Sequence, residues 1–154
     1  MKINPAKMRA LAQIERTIGY VFADQRLLVR ALTHRSFSGD NNERFEFIGD
    51  AVLDYAVAKM LFDAFPKSSE GELSRLRANL VNEAVLAEIA LEMNMGDALF
   101  LGPGELKSGG FNRPSILADA LEAVFAAGSF DADFHTAQQV LRSHDPALAT
   151  RLLA

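Results

Sequence analysis

The segment Ser115-Ile116-Leu117-Ala118-Asp119-Ala120-Leu121-Glu122-Ala123-Val124-Phe125-Ala126-Ala127 is apolar almost all the way round when wound at helical spacing. A helix of that kind is buried, so other elements have to cover it on every side. It nevertheless carries Asp119 and Glu122, one turn apart on the same side, with the small Ala126 as their neighbour there. Burying a carboxylate is costly unless it is paired or bound to a metal. No basic residue lies within the segment. Either a metal ion or a lysine or arginine from another element is therefore required.

The remainder of the chain supplies helices to cover it. Alternation of apolar and polar residues is absent, as are Asn-Gly and Asp-Gly hairpin turns, so the fold class expected is all-α. A first helix is expected over Ala6 to Ile18, with Met8, Leu11, Ile14 and Ile18 on one face and Gly19 as its stop. Asp24 caps a second, from about Gln25 to Thr33, and a polar loop runs from Ser36 to Asn42. A long helix follows from about Asn42 to Phe65, ended by Pro66. Ser69 and Glu72 have capping-box spacing and open a helix toward Leu80; Asn82 caps another through about Met93. Gly102 to Arg113 reads as one glycine-rich loop. Pro114 then starts the apolar helix, which Gly128 stops, and Asp131 to Ser143 forms a last helix. At 154 residues the chain fits a single domain, expected over 1–144, with 145–154 as a tail or the start of a linker.

The long helix carries the second acidic pattern. At 100° per residue, Phe45, Ile48, Val52, Tyr55 and Ala56 share a sector about 100° wide, the expected core face, and Glu43, Glu46, Asp50 and Asp54 fall on the other side. Glu46 and Asp50 lie about 6 Å apart along the axis, within reach of one ion. An acidic stripe opposite an apolar one is also how an ordinary surface helix looks. Two details favour chemistry. Like charges four residues apart repel, and only Arg44 intervenes. Gly49 stands in mid-helix, where it costs about 1 kcal/mol relative to alanine, which points to close approach by another backbone.

Two helices thus each offer a carboxylate pair at single-turn spacing, Glu46/Asp50 and Asp119/Glu122. The chain has no cysteine, which excludes disulfides, thiolate zinc sites, iron–sulfur clusters and cysteine nucleophiles, and fits a reducing compartment. With three histidines and no thiols, the ligand set selects a hard cation, Mg²⁺ or Mn²⁺, of the kind that stabilises in-line displacement at phosphorus. A di-metal oxidase of the helical-bundle type would need Glu-x-x-His pairs, and neither Glu46 nor Glu122 has a histidine three residues on. The net charge of −4 provides no global basic field, so a polyanion must be held by local basic groups or by metal. Lys107 and Arg113 in the glycine-rich loop, and Lys67, Arg75 and Arg77 near Ser69, are the local candidates. His34 has no partner at nucleophilic-triad spacing and reads as structural; Phe47 points away from the core sector. No apolar run spans a membrane and Met1 to Arg16 has no continuous apolar stretch, so neither a membrane partner nor a secretory signal is expected.

Asn42-Glu43-Arg44-Phe45-Glu46-Phe47-Ile48-Gly49-Asp50-Ala51-Val52-Leu53 resembles the signature stretch of the ribonuclease III family, bacterial type. Leu32-Thr33-His34-Arg35-Ser36 precedes it, and Glu70-Gly71-Glu72-Leu73-Ser74-Arg75-Leu76-Arg77, Leu101-Gly102-Pro103-Gly104-Glu105, Lys107-Ser108-Gly109-Gly110 and Ile116-Leu117-Ala118-Asp119-Ala120-Leu121-Glu122-Ala123 follow in the family's order. The resemblance implies an all-α endonuclease domain working as a two-fold homodimer in the cytoplasm. It implies Mg²⁺-dependent hydrolysis of phosphodiester bonds in double-stranded RNA, with Mn²⁺ as a substitute, leaving 5′-phosphates and a short 3′ overhang during rRNA and mRNA processing. Glu46, Asp50, Asp119 and Glu122 would be the metal ligands, with Asp50 and Glu122 catalytic and Glu122 the most critical. Glu43, Glu70 and Lys107 would line the RNA valley, and Phe47 would insert into the other subunit. Phe45 and Ile48 stand where the family often has leucine, a conservative change. Bacterial members usually continue into a double-stranded-RNA-binding domain, and 145–154 is too short to be one.

Overall fold

The computed structural model describes residues 2–132. The expected boundary at 144/145 and nearly all of the expected helix over Asp131 to Ser143 lie outside them. The helices are α1 (Pro5–Ile18), α2 (Gln25–Ala31), α3 (Glu43–Ala64), α4 (Glu70–Leu80), α5 (Glu83–Glu92), α6 (Pro103–Lys107) and α7 (Pro114–Asp131), with 3₁₀ turns at Met95–Ala98 and Gly110–Asn112. The only strand-like feature among the described residues is an isolated parallel bridge, Thr33 to Phe100. The all-α expectation holds.

α7 runs through the centre, with α2, α3 and α5 packed around it. Its side chains from Ala120 to Ala127 are all buried, as the continuous apolar pattern requires. Gly128 does not stop the helix. It is buried within α7, which continues to Asp131. Asp131 then closes the α1–α2 connection: its carboxylate accepts hydrogen bonds from the Tyr20 hydroxyl and from the backbone N–H groups of Ala23 (2.8 Å) and Asp24 (2.9 Å).

Most start and stop signals act as read. Gly19 ends α1 in the left-handed region, and Asp24, Ser69 and Asn82 accept N-cap hydrogen bonds. Other expectations fail. Met8 is exposed while Leu11, Ile14 and Ile18 are buried, so the core-facing stripe of α1 begins a turn later. α2 ends at Ala31 because the backbone of Leu32 to His34 pairs with Phe100 instead of continuing the helix. The segment Gly102–Arg113 is not one loop; Pro103 starts the short α6 inside it, and a 3₁₀ turn follows.

The most consequential correction concerns the face of α3 that is buried. Of the expected core sector Phe45 and Ala56 are buried and Val52 is half-buried, but Ile48 and Tyr55 are exposed, and Gly49, Leu53, Val57 and Met60 are buried instead. The helix is apolar over so wide an arc that its own pattern admits two faces. The small residues select between them: a Cβ on Gly49 would lie 1.8 Å from the Glu122 backbone oxygen. Only the glycine face lets the backbones of α3 and α7 touch. The buried face is therefore turned toward Glu46 and Asp50, which stand beside the helix–helix contact and not opposite it. The start of α3 is held as firmly. The Asn42 side chain donates to the Ala31 carbonyl (3.0 Å), and its backbone N–H donates to Thr33 O (2.9 Å).

Gly49→Ala is expected to destabilise the fold by roughly 3 kcal/mol, since no side-chain rotation relieves a clash with backbone. Thermal unfolding followed by circular dichroism checks this. A midpoint equal to that of the unsubstituted protein would contradict the close approach.

Candidate metal centre

Where α3 and α7 touch, four carboxylates meet. Glu46 and Asp50 flank Gly49 on α3, and Asp119 and Glu122 occupy facing turns of α7. Each of Glu46, Asp119 and Glu122 offers a carboxylate oxygen, and these oxygens lie within 4.8 Å of one another. Asp50 is not one of that trio but lies close enough to Glu122 to help keep its carboxyl protonated. Glu122 is only 8% exposed.

No cation compensates this charge within the described residues. Their ion pairs are Asp24–Arg26, Arg30–Asp40, Arg35–Glu43, Lys59–Asp63 and Glu105–Arg113, and none includes the four. Of the two remedies the sequence left open, a basic side chain from another described element is not the one adopted. Without a cation the acids share protons. Burial, reinforced by the hydrogen bond to Asp50 and by the neighbouring carboxylates, pushes Glu122 up to about 9. Burial and then Asp119 raise Glu46 to about 7, and the Glu46 carboxyl donates to Asp119. Asp119 is also raised by burial, although accepting that hydrogen bond works the other way. Farther along α3, Asp54 is raised by burial and by Asp50, with Arg77 opposing.

Such a cluster could hold a divalent cation. All its donors are carboxylate oxygens, which hard ions prefer. Binding would release the protons that the crowded carboxyls retain. Glu46, Asp119 and Glu122 fit as direct ligands, with Asp50 within hydrogen-bonding reach of Glu122.

A cleft of about 450 Å³ opens from this cluster, and Glu46 and Asp119 form part of its wall. Glu43 lines it too, with its carboxylate 3.8 Å from Arg35. Lys107, at the exposed end of α6, does not line it; Arg113, paired with Glu105, does. Glu70 lines a different hollow, with Phe62, Leu73 and Arg77, so it is not brought to the cluster within one chain. Phe47 is 77% exposed on the face of α3 that also presents Ile48, Tyr55 and Phe62. His34, read as structural from the sequence, also lines the cleft. Its signal was the serine two residues on, whose hydroxyl holds the ring.

Comparison with known proteins agrees with this architecture. A family model described as Ribonuclease-III-like matches residues 24–145. Ribonuclease 3 of Neisseria gonorrhoeae strain NCCP11945 is 67% identical over 142 residues, covering 92% of this chain and 59% of that protein. Ribonuclease 3 of Thiobacillus denitrificans is 58% identical over 139 residues, 90% of this chain and 62% of that protein. The chain thus spans about 59% of the length of the first of these curated relatives. Among solved structures, the nuclease domain of ribonuclease III from Campylobacter jejuni superposes with a TM-score of 0.80 at 46% identity, covering 92% of this chain and 94% of that one. That structure is described as flexible in a region involved in dimer formation.

The raised carboxyls set the pH dependence of the metal-free protein. Between the ordinary value of 4.5 and about 9, the unfolded chain has lost the Glu122 proton that the folded chain keeps. The folded state then binds more protons, so stability falls as pH rises through this window and levels off above it. Glu46 adds to the fall up to about 7. In EDTA the unfolding midpoint is expected to drop from about pH 5 to pH 8, and Glu122→Gln is expected to remove most of that slope. A flat profile for the unsubstituted protein would count against the packed acid cluster.

Proposed function

The chain belongs to the ribonuclease III family, and from that premise we propose that it is the nuclease domain of a Mg²⁺-dependent endoribonuclease acting on double-stranded RNA. The observation that carries this reading is the convergence of Glu46, Asp50, Asp119 and Glu122 at the α3–α7 contact without a compensating cation. A divalent cation held there would supply Lewis-acid stabilisation of the negative charge that develops on the phosphate oxygens during in-line attack by water. The chain's own residues set up that chemistry. Glu46, Asp119 and Glu122 would hold the cation beside a rigid backbone contact. Asp50, on α3 close to Glu122, would stand beside them as the fourth carboxylate of the site. Hydrolysis breaks the bond from phosphorus to the 3′ oxygen, leaving a 5′-phosphate on one fragment and a 3′-hydroxyl on the other.

The described residues of each chain form one such cluster, so cutting both strands calls for two copies. The face of α3 opposite the cluster, with Phe47, Ile48, Tyr55 and Phe62 exposed, supports a homodimer in which Phe47 packs into the partner. Two clusters acting on opposite strands with an offset would leave the short 3′ overhang. Glu43 lines the cleft from the same helix as Glu46, which supports its place along the RNA path. Glu70 and Lys107 would reach that path from outside the cleft, Glu70 across the pair of subunits. Shape and backbone contacts would dominate recognition of an A-form duplex. No helix among the described residues is long and apolar enough to cross a membrane, and the absence of cysteine fits action in the reducing cytoplasm.

Incubation with a long RNA duplex at low salt, in Mg²⁺ or in EDTA, tests the activity. Shortening only in Mg²⁺ is the expected result. Glu122→Gln is expected to lower cleavage by at least a hundredfold while folding and self-association persist, since it removes a ligand and not a packing contact. Full cleavage by that variant would take Glu122 out of the site. Phe47→Ala is expected to shift sedimentation toward the monomer at micromolar concentration; an unchanged mass would refute the interface.

A further inference from the structure

His34 sits at the end of the bridge between Thr33 and Phe100, and its backbone N–H donates to Phe100 O at 3.0 Å. Its ring is held by one residue. The backbone N–H of Ser36 donates to Nδ1 (3.1 Å), and the Ser36 hydroxyl lies 2.7 Å from the same nitrogen. That hydroxyl in turn accepts the backbone N–H of Gly102 at 2.9 Å. A side chain at position 102 would place its Cβ 2.3 Å from the Ser36 carbonyl oxygen, so the Ser36–Gly102 contact depends on glycine.

These bonds determine the tautomer. A backbone N–H can only donate, so Nδ1 accepts and carries no proton. The Ser36 oxygen already accepts from Gly102, which leaves its own proton to point at Nδ1. The hydrogen-bond network therefore assigns the ring proton to Nε2. No described residue hydrogen-bonds Nε2. The ring lines the cleft beside Glu46 and Asp119, close enough to Asp119 and Glu105 to act on both electrostatically. The two guanidinium groups of the cleft, Arg35 and Arg113, are held by Glu43 and Glu105. The cleft thus contains a rigidly oriented donor with no acceptor among the described residues, beside two guanidinium groups that are each paired with a glutamate.

We propose that His34 is a substrate-binding residue whose Nε2–H donates to a non-bridging phosphate oxygen of the RNA strand that enters the cleft. This rests on the nuclease reading above. A phosphate is the fitting acceptor because it repeats along any strand, whereas base edges change with sequence. Ser36 and Gly102 act behind it by fixing the ring.

Steady-state cleavage of an RNA duplex by His34→Ala, His34→Gln and Ser36→Ala tests this, together with a long-range ¹H–¹⁵N spectrum of the unsubstituted protein. His34→Ala is expected to raise KM about tenfold or more, the worth of one hydrogen bond to a charged acceptor. His34→Gln, whose amide N–H falls near the position of Nε2–H, is expected to recover most of that loss, and Ser36→Ala to lie between. The spectrum is expected to show the proton on Nε2. An unchanged KM in His34→Ala would overturn the proposal, as would equal loss in the alanine and glutamine variants or a proton on Nδ1. If the unsubstituted protein cleaves no duplex, the nuclease reading fails by itself. Binding of the uncut duplex by the unsubstituted protein and His34→Ala then decides the His34 contact: weaker binding by the variant supports it, and equal binding overturns it.

Discussion

The backbone of α7 lies against Gly49 of α3, so closely that a single methyl group there would strike the Glu122 carbonyl. The remaining features of the site depend on that contact. It brings the turns carrying Glu46 and Asp50 against the turns carrying Asp119 and Glu122. It also buries Glu122 and half-buries Glu46 and Asp119, with no lysine or arginine to balance them among the described ion pairs. In a purely structural helix pair this arrangement would be a defect, since buried uncompensated carboxylates oppose folding. The defect is concentrated in a cluster whose oxygens are close enough to share one ion. Stability given up at one point in exchange for a poised site is a recurrent property of functional centres.

α3 serves two purposes on two faces. Toward α7 it presents glycine, alanine and the acids; away from it, it exposes Phe47, Tyr55 and Phe62. In the proposed dimer the second face carries the assembly, and the same rigid helix would transmit the position of the partner to the metal ligands. The N-terminal end of α3 is anchored through Asn42 to Ala31 and Thr33, and the next residue, His34, opens the cleft. The bridge to Phe100, the Ser36 hydroxyl and Gly102 thus belong to the same support as the acids, although they are distant from them in sequence.

Much of this was legible in the residues themselves. The all-round apolar character of Ile116–Ala127 required a central helix, and its two acids required compensation. Gly49 in mid-helix indicated a backbone contact before any partner was known. The caps at Asp24, Ser69 and Asn82 were read from side-chain chemistry that acts locally. What was not legible depended on tertiary choice. Phe45, Ile48, Val52, Tyr55 and Ala56 form a plausible core sector by periodicity, yet α7 packs on the neighbouring arc because only there are the residues small enough. That rotation carries Glu46 and Asp50 from the expected solvent side to the helix–helix seam. Likewise Gly128 is a stop signal in isolation, but buried packing on all sides lets α7 run past it to Asp131. The Ser36 beside His34 is a local signal, but its anchoring by Gly102, a partner 66 residues away, is one that no local pattern reveals.

The central claim is that the four carboxylates are pressed together to hold a divalent cation. Anomalous diffraction from a crystal soaked in Mn²⁺ tests it most directly. A strong anomalous peak among the oxygens of Glu46, Asp119 and Glu122, with Asp50 alongside, is the predicted result. A map with no peak there, or with a lysine or arginine of a second copy seated among the carboxylates, would contradict it.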